Sequence, residues 1–146
     1  MTASDLTEYG LVPVARFHIA DNELKIVITD PETVKLEKCI YAFLIGGEAV
    51  RVGSSKAPLK ERLNDYERDI TNALNGRKSP APAQEAAQWR KMLPAGVSGD
   101  IYARQGTEVT TSVGKFRVYM DEESILIGEL FRTQPHDRIL NRNKHR

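Results

Sequence analysis

The chain holds a single cysteine, Cys39, among 146 residues, and its three histidines, His18, His136 and His145, do not cluster. One thiol excludes an intramolecular disulfide and a cysteine-built metal cage. No Ser-His-Asp or Cys-His arrangement with recognisable spacing is present. The full Gly-x4-Gly-Lys-Ser/Thr phosphate loop is also missing, so a nucleotide-hydrolase reading has little support. Long apolar runs are lacking too: Cys39 to Ile45 is the longest, far short of the ~20 residues of a membrane helix. Met1 to Leu11 lacks the basic-then-apolar layout of a secretory signal. There is no internal repeat. These absences lead to the expectation of a cytoplasmic protein that does not touch the membrane. The 40% hydrophobic and 28% charged content is that of an ordinary globular chain, long enough for one sizeable core.

Net charge is +1, but it is unevenly spread. Residues 1–38 carry four bases against seven acids, and residues 94–131 carry three against six. Residues 56–93 carry eight against five, and the tail 132–146 carries five against one. A basic tail can hold a polyanion through counterion release, and equally it can be a solvated chain end.

The apolar-rich stretch Leu11–Ile19 and the alternating Leu24, Ile26 and Ile28, with Asp21-Asn22 between, predict a first β-hairpin. Cys39–Ile45, Gly46-Gly47 and Ala49–Val52 predict a second. Pro58 suits the first position of a helix whose apolar residues are Leu59, Leu63, Tyr66, Ile70 and Leu74, and Gly76 is placed to end it. Residues 83–93 form a shorter helix carrying Ala86, Trp89 and Leu93. Asp100–Arg104 and Lys115–Met120 read as strands around a Thr-rich loop, and Asp121 as the cap of a last helix halted by Pro135. The order predicts an α+β fold, a small, mainly antiparallel sheet flanked by helices, with an extra N-terminal β-hairpin. The expected organisation is one domain: a hairpin or arm over 1–38, a core over 39–131 with an insertion at 76–97, and a basic tail over 132–146.

Chemistry-bearing residues fall in three segments. Cys39-Ile40-Tyr41 and Arg51-Val52-Gly53 flank the second hairpin. Arg62 and Tyr66 lie one turn apart on the long helix. Glu123-Ser124-Ile125-Leu126-Ile127 opens the last helix and is followed by Pro135 and Asn141. This layout resembles the GIY-YIG nuclease superfamily. In that family a Gly-Ile-Tyr strand precedes a Tyr-Ile-Gly strand, and a helix carries an arginine with a histidine or tyrosine one turn later. A last helix supplies a metal-binding glutamate in a Glu-x-x-Leu-Ile setting, and Pro and Asn often follow. The resemblance covers roughly residues 39–75 and 98–141. Cys39 stands where the family has glycine, and Arg51 where it has a tyrosine often assigned as general base or its helper.

The residue types fit these roles on their own chemistry. Arg62 and Tyr66 share a helix face, and a planar, permanently charged guanidinium suits the charge that develops on a phosphoryl group. Arg62 also reads as a solvated partner of Asp65 or Glu61, and Tyr66 as a core-border tyrosine. Glu123 in a first helical turn gains from the helix dipole whether or not it binds a cation. It is preferred over Glu122 because it shares a face with Ile127 and Leu130. One carboxylate completed by waters and phosphates is how Mg²⁺ is usually held. Whether Tyr41 meets Arg51 depends on the hairpin. A two-residue turn at Gly46-Gly47 sets Tyr41 opposite Val52 and away from Arg51, whereas a three-residue loop with a bulge puts both on one face, where Arg51 would lower the Tyr41 pKa. Gly53-Ser54-Ser55-Lys56 before a helix offers amides and a base to a phosphate.

The resemblance implies a DNA endonuclease dependent on Mg²⁺ or Mn²⁺, with duplex or branched DNA as substrate and a homodimer as one option of assembly. Glu123 would hold the metal, Arg62 would stabilise phosphoryl charge, and Tyr41 and Tyr66 would orient or deprotonate water. Arg51 would contact phosphate, Asn141 would brace the metal site, and Ser54, Ser55, Lys56, Asn141 and Arg142 would line the nucleic acid. Two other readings fit the sequence: a nucleic-acid-binding module that has lost cleavage through Arg51, and a protein-interaction domain.

Overall fold

The computed structural model describes residues 1–141. Its centre is β3 (Cys39–Ile45), buried at every position. Odd-numbered β3 residues face one apolar cluster and even-numbered ones a second, so the unbroken apolar run is what a strand covered on both faces requires. Around it runs a five-stranded, wholly antiparallel sheet. Its order is β2 (Glu23–Ile28), β1 (Val12–Ala20), β5 (Ser98–Gln105), β3 and β4 (Glu48–Ser55). The N-terminal hairpin, expected as an extra arm, is two strands of this same sheet, since β1 pairs with β5. Its Asp21-Asn22 turn places both residues at positive φ, the conformation that tight hairpins demand.

One face is covered by α2 (Leu59–Leu74) and α3 (Ala83–Met92). The predicted stripe of Leu59, Leu63, Tyr66, Ile70 and Leu74 is the buried face of α2. Trp89 of α3 is fully buried against Phe17 and Phe43. The other face is covered by α4 (Tyr119–Thr133) and by α1 (Ala3–Glu8). The sequence reading treats the α1 segment as part of an arm. A Thr2–Asp5 capping box closes its first turn, and the fully buried Leu6 anchors it.

Several boundaries differ from expectation. The Thr-rich stretch is a strand, β6 (Glu108–Thr111), paired with β7 (Gly114–Arg117) as a separate two-stranded ribbon. The predicted strand over Lys115–Met120 stops at Arg117, and α4 begins at Tyr119, two residues before the expected Asp121 cap. Glu123 therefore sits in the second turn of α4, and the dipole benefit expected there falls to Asp121 and Glu122 instead. Pro58 is the residue before the first turn of α2 rather than within it. No helix among the described residues is long and apolar enough to cross a membrane.

Because β4 is the sheet's edge, α2 from one face and α4 from the other both reach it. The chain after α4 also returns to this edge: the Leu140 amide donates to the Val50 carbonyl at 2.7 Å. The place where two helices and a returning segment meet an edge strand is where the sequence-selected residues gather.

Candidate active site

A bulge decides which way Arg51 points. Gly46 and Gly47, at φ 62° and 78°, form a two-residue turn that pairs Ile45 with Glu48. Extended without interruption, that register would set Tyr41 against Val52. The register shifts between Phe43 and Leu44, so Phe43 faces Arg51 and Tyr41 faces Gly53. Neither hairpin alternative read from the sequence is complete. The loop has two residues, yet Tyr41 and Arg51 share a face, because the extra residue lies within the strand. Gly53 is required by proximity: a Cβ there would lie 2.3 Å from the Tyr41 hydroxyl oxygen. The Tyr41 ring lies across a position that only glycine can fill.

From α2, Tyr66 brings its hydroxyl to 2.7 Å from that of Tyr41. The Arg51 Nε donates to the Tyr66 oxygen at 2.8 Å and the Arg62 Nε to the Tyr41 oxygen at 3.3 Å. Both guanidinium carbons lie 4.9 Å from the Tyr66 ring centroid, within cation–π range. Arg62 forms no ion pair with Asp65 or Glu61; Asp65 is taken by Arg68 at 3.3 Å.

Proton accounting in this quartet is restrictive. Neither guanidinium can accept a hydrogen bond. One of the two phenolic protons bridges the tyrosine oxygens. The other has no acceptor among the described residues, because each tyrosine's partners are its fellow tyrosine and an arginine donor. The pair therefore presents one spare O–H to whatever enters the cleft. Burial pushes the Tyr41 pKa well above that of a free phenol, and proximity to Tyr66 adds to this; Arg62 and Arg51 oppose it without prevailing. Arg51 does pull the Tyr41 pKa down, as expected of it on a shared face, but desolvation outweighs the nearby charges and the net shift is upward.

Arg51 is itself buried, 6% exposed. Besides Tyr66, its Nη1 donates to Glu85 Oε1 at 3.0 Å and to the Leu140 carbonyl. Burial works against its charge, but Tyr66 and Glu85 overcome this and hold the guanidinium protonated. Glu85 lies on α3 in the 76–97 insertion and was not singled out in the sequence. Its signal was available: it stands four residues before Trp89, on the side of the helix that must be buried.

Glu122 and Glu123 are separated by their partners. Glu122 accepts from Arg104 Nη2 at 2.8 Å, and from both the amide and the hydroxyl of Thr107 at 2.8 Å. Partial burial works against its ionised form, yet these donors outweigh it and lower the pKa. Glu123 has no hydrogen-bond or ion-pair partner among the described residues, and it lines a cleft of ≈ 240 Å³ with Tyr41, Gly53, Ser54, Arg62 and Tyr66. An acceptor-only group without a protein donor, in a cleft open to solvent, fits a hard divalent cation. Among the described residues no cluster of three or more His, Cys, Asp or Glu could hold a metal. An ion at Glu123 would complete its shell with water and substrate oxygens.

The remaining selected residues lie close by. The Asn141 side chain accepts from the Val52 amide at 2.9 Å and donates to the Val52 carbonyl at 2.8 Å. Its amide thus continues the β4 ladder as a neighbouring strand would, while the residue still borders the cleft. Ser54 and Arg62 are shared with an adjoining depression of ≈ 340 Å³ that includes Ser55 and Lys56, together with the acidic Glu61 and Asp65. The Ser55 hydroxyl is occupied by the Ala57 carbonyl at 2.6 Å. Arg142 lies outside the described residues.

No protein-family model matches the chain, and no curated protein matches it. Solved structures do. A point mutant of bacteriophage T4 EndoII superposes with a TM-score of 0.58 at 24% identity, covering 90% of this chain and 96% of its own. Restriction endonuclease HPY188I in complex with product DNA superposes with a TM-score of 0.55 at 15% identity, covering 92% and 82%. At these identities the likeness is one of fold: this chain shares the α+β architecture of these two endonucleases, a mainly antiparallel sheet flanked by helices.

Proposed function

We propose that the protein is a divalent-metal-dependent endonuclease that hydrolyses DNA phosphodiester bonds. The observation that carries this reading is the convergence of Glu123, Arg62, Tyr66 and Tyr41 on one cleft from α4, α2 and β3. Support for DNA as the substrate class comes from the fold shared with a restriction enzyme bound to product DNA. Mg²⁺ or Mn²⁺ bound at Glu123 would act as a Lewis acid on a phosphate oxygen.

The chain's own groups divide the rest of the work. Arg62, stacked on Tyr66 and tethered to Tyr41, holds a fixed positive charge where the phosphoryl oxygens gain negative charge. The Tyr41–Tyr66 pair offers its spare proton as a hydrogen bond to a water or phosphate oxygen. With the Tyr41 pKa raised, the pair orients the nucleophile rather than removing its proton. Arg51, with two internal partners on one nitrogen, serves behind Tyr66 rather than on the phosphate. Ser54 and Lys56 run along the neighbouring depression and would take the flanking phosphate. Asn141 braces β4, and Arg142, next in the sequence, would contribute positive charge to nucleic-acid binding.

Nicking of supercoiled plasmid in Mg²⁺ and Mn²⁺, with and without chelator, tests this for wild type and Glu123→Gln. Metal-dependent relaxation by the wild type that disappears in the variant is expected. Cleavage by Glu123→Gln at the wild-type rate would sink the assignment of Glu123. A folded wild type that binds DNA in a salt-sensitive way but never nicks it would establish the binding-module reading instead.

A further inference from the structure

Arg51 is held from three directions. Glu85 takes Nη1 at 3.0 Å, the Leu140 carbonyl takes the same nitrogen, and Nε is left for Tyr66 at 2.8 Å. The first two contacts depend on α3, since Gln88 Nε2 donates to the carbonyls of Asp137 and Ile139 at 3.0 and 2.9 Å and so fixes the segment carrying Leu140. The insertion at 76–97 is thus built into the wall behind the tyrosine pair.

We infer that Glu85 is a positioning residue of the proposed nuclease site: by fixing the Arg51 guanidinium it holds Nε against the Tyr66 hydroxyl and thereby sets where the pair's spare proton points. This rests on the nuclease reading above and deepens it. A planar guanidinium has only one orientation in which Nη1 meets a carboxylate and Nε meets a phenol. Occupying one lone pair of Tyr66 with Nε–H leaves its own proton to Tyr41 or to the cleft. Without the Glu85 charge, Arg51 keeps its burial and the Leu140 carbonyl but loses the charged acceptor that holds Nη1 from the α3 side. Its plane is then less firmly fixed, and Tyr66 can turn its proton elsewhere. Glu85 touches no reacting atom. It acts through Arg51 on Tyr66.

The test uses Glu85→Gln, which keeps shape and an acceptor oxygen but removes the charge, alongside Tyr66→Phe, Glu85→Gln/Tyr66→Phe, and Arg51→Met/Glu85→Met. The last replaces the buried ion pair by apolar side chains of similar length, which is often well tolerated by the fold. Expected for Glu85→Gln is a kcat on plasmid or oligonucleotide DNA roughly 10- to 100-fold lower with KM within about twofold. In the Tyr66→Phe background the same change should add little, as coupled residues are non-additive. The Arg51 Nε–H resonance, followed by ¹⁵N NMR without metal or DNA, should exchange slowly in wild type and fast in Glu85→Gln. Arg51→Met/Glu85→Met should fold and lose kcat similarly. The inference is overturned, with the nuclease reading intact, if wild type cleaves and either Glu85→Gln or the folded double variant cleaves equally fast. Additive effects with Tyr66→Phe would overturn it as well. A folded wild type that cleaves no DNA overturns both together.

Discussion

Tyr41 and Gly53 are cross-strand partners in which the tyrosine ring occupies the space of the missing side chain, so that a Cβ at Gly53 would approach the hydroxyl to 2.3 Å. The contact explains why the second hairpin strand must carry glycine directly opposite its aromatic partner. Gly53→Ala forces the Tyr41 ring, fully buried and bonded to Tyr66, out of its position. The expected cost is about 1–3 kcal/mol, as for other overpacked sites, measured by denaturant unfolding. Cleavage should fall more than stability does, because displacement of Tyr41 also breaks its contact with Arg62.

The two neighbouring glutamates of α4 should respond in opposite ways. Glu123→Gln should remove metal-dependent cleavage while leaving the unfolding midpoint unchanged, since Glu123 has no partner among the described residues. Glu122→Gln should retain cleavage chemistry but destabilise the fold by about 1–3 kcal/mol, because Arg104 and Thr107 lose a charged acceptor. The pH dependence follows from the lowered Glu122 pKa. A carboxyl depressed on folding contributes above its unfolded pKa and loses that contribution as pH falls through the folded value. The stability gap between wild type and Glu122→Gln should therefore be full at neutral pH and close on acidification below the ordinary glutamate range. A gap that persists undiminished at pH 2 would contradict this.

How far the sequence revealed this arrangement depended on the range of the interaction involved. The α2 stripe, the runs that became β1 to β5 and the Arg62–Tyr66 spacing are local patterns, and each stands in the structure where it was expected. The Tyr41–Arg51 relationship was ambiguous because a one-residue bulge, invisible in composition, reverses which side chains share a face. Glu85 escaped because its partner is 34 residues away. A buried acid on an apolar helix face acquires meaning only once the cation it neutralises is located. The start of α4 was misplaced because Tyr119 and Met120 suit a strand as well as a helix, and Glu122 binding to the foot of the β6–β7 ribbon settled the matter through tertiary contacts.

Cys39 opens β3 and faces the core with no exposed surface. Burial pushes its thiol up to about 11, although the more distant Arg117 charge pulls slightly the other way. A thiol kept neutral and covered is a poor nucleophile. Native protein at pH 8 should therefore react with a disulfide reagent only as fast as it unfolds, with one equivalent released at once in denaturant. For a group raised on folding, the contribution to stability is whole below the unfolded pKa and is lost as pH rises through the folded one. An alkaline loss of stability near pH 9–11 that is absent from Cys39→Ala would complete the test.

Arg62 offers the sharpest separation of charge from shape. Its guanidinium lies 4.9 Å from the Tyr66 ring centroid while its Nε reaches the Tyr41 hydroxyl. A lysine in its place keeps the positive charge but has no planar group to stack and no Nε to donate sideways. If charge alone stabilised the phosphoryl group, Arg62→Lys would cleave nearly as well as wild type. If the guanidinium must also hold the tyrosine pair, Arg62→Lys should lose roughly 10- to 100-fold in kcat, with DNA affinity changed by no more than about threefold at fixed salt, because the positive charge is conserved. The second result is expected. Arg62 is anchored from below by both phenols, and a flexible ammonium cannot occupy both of those contacts and face the cleft at the same time.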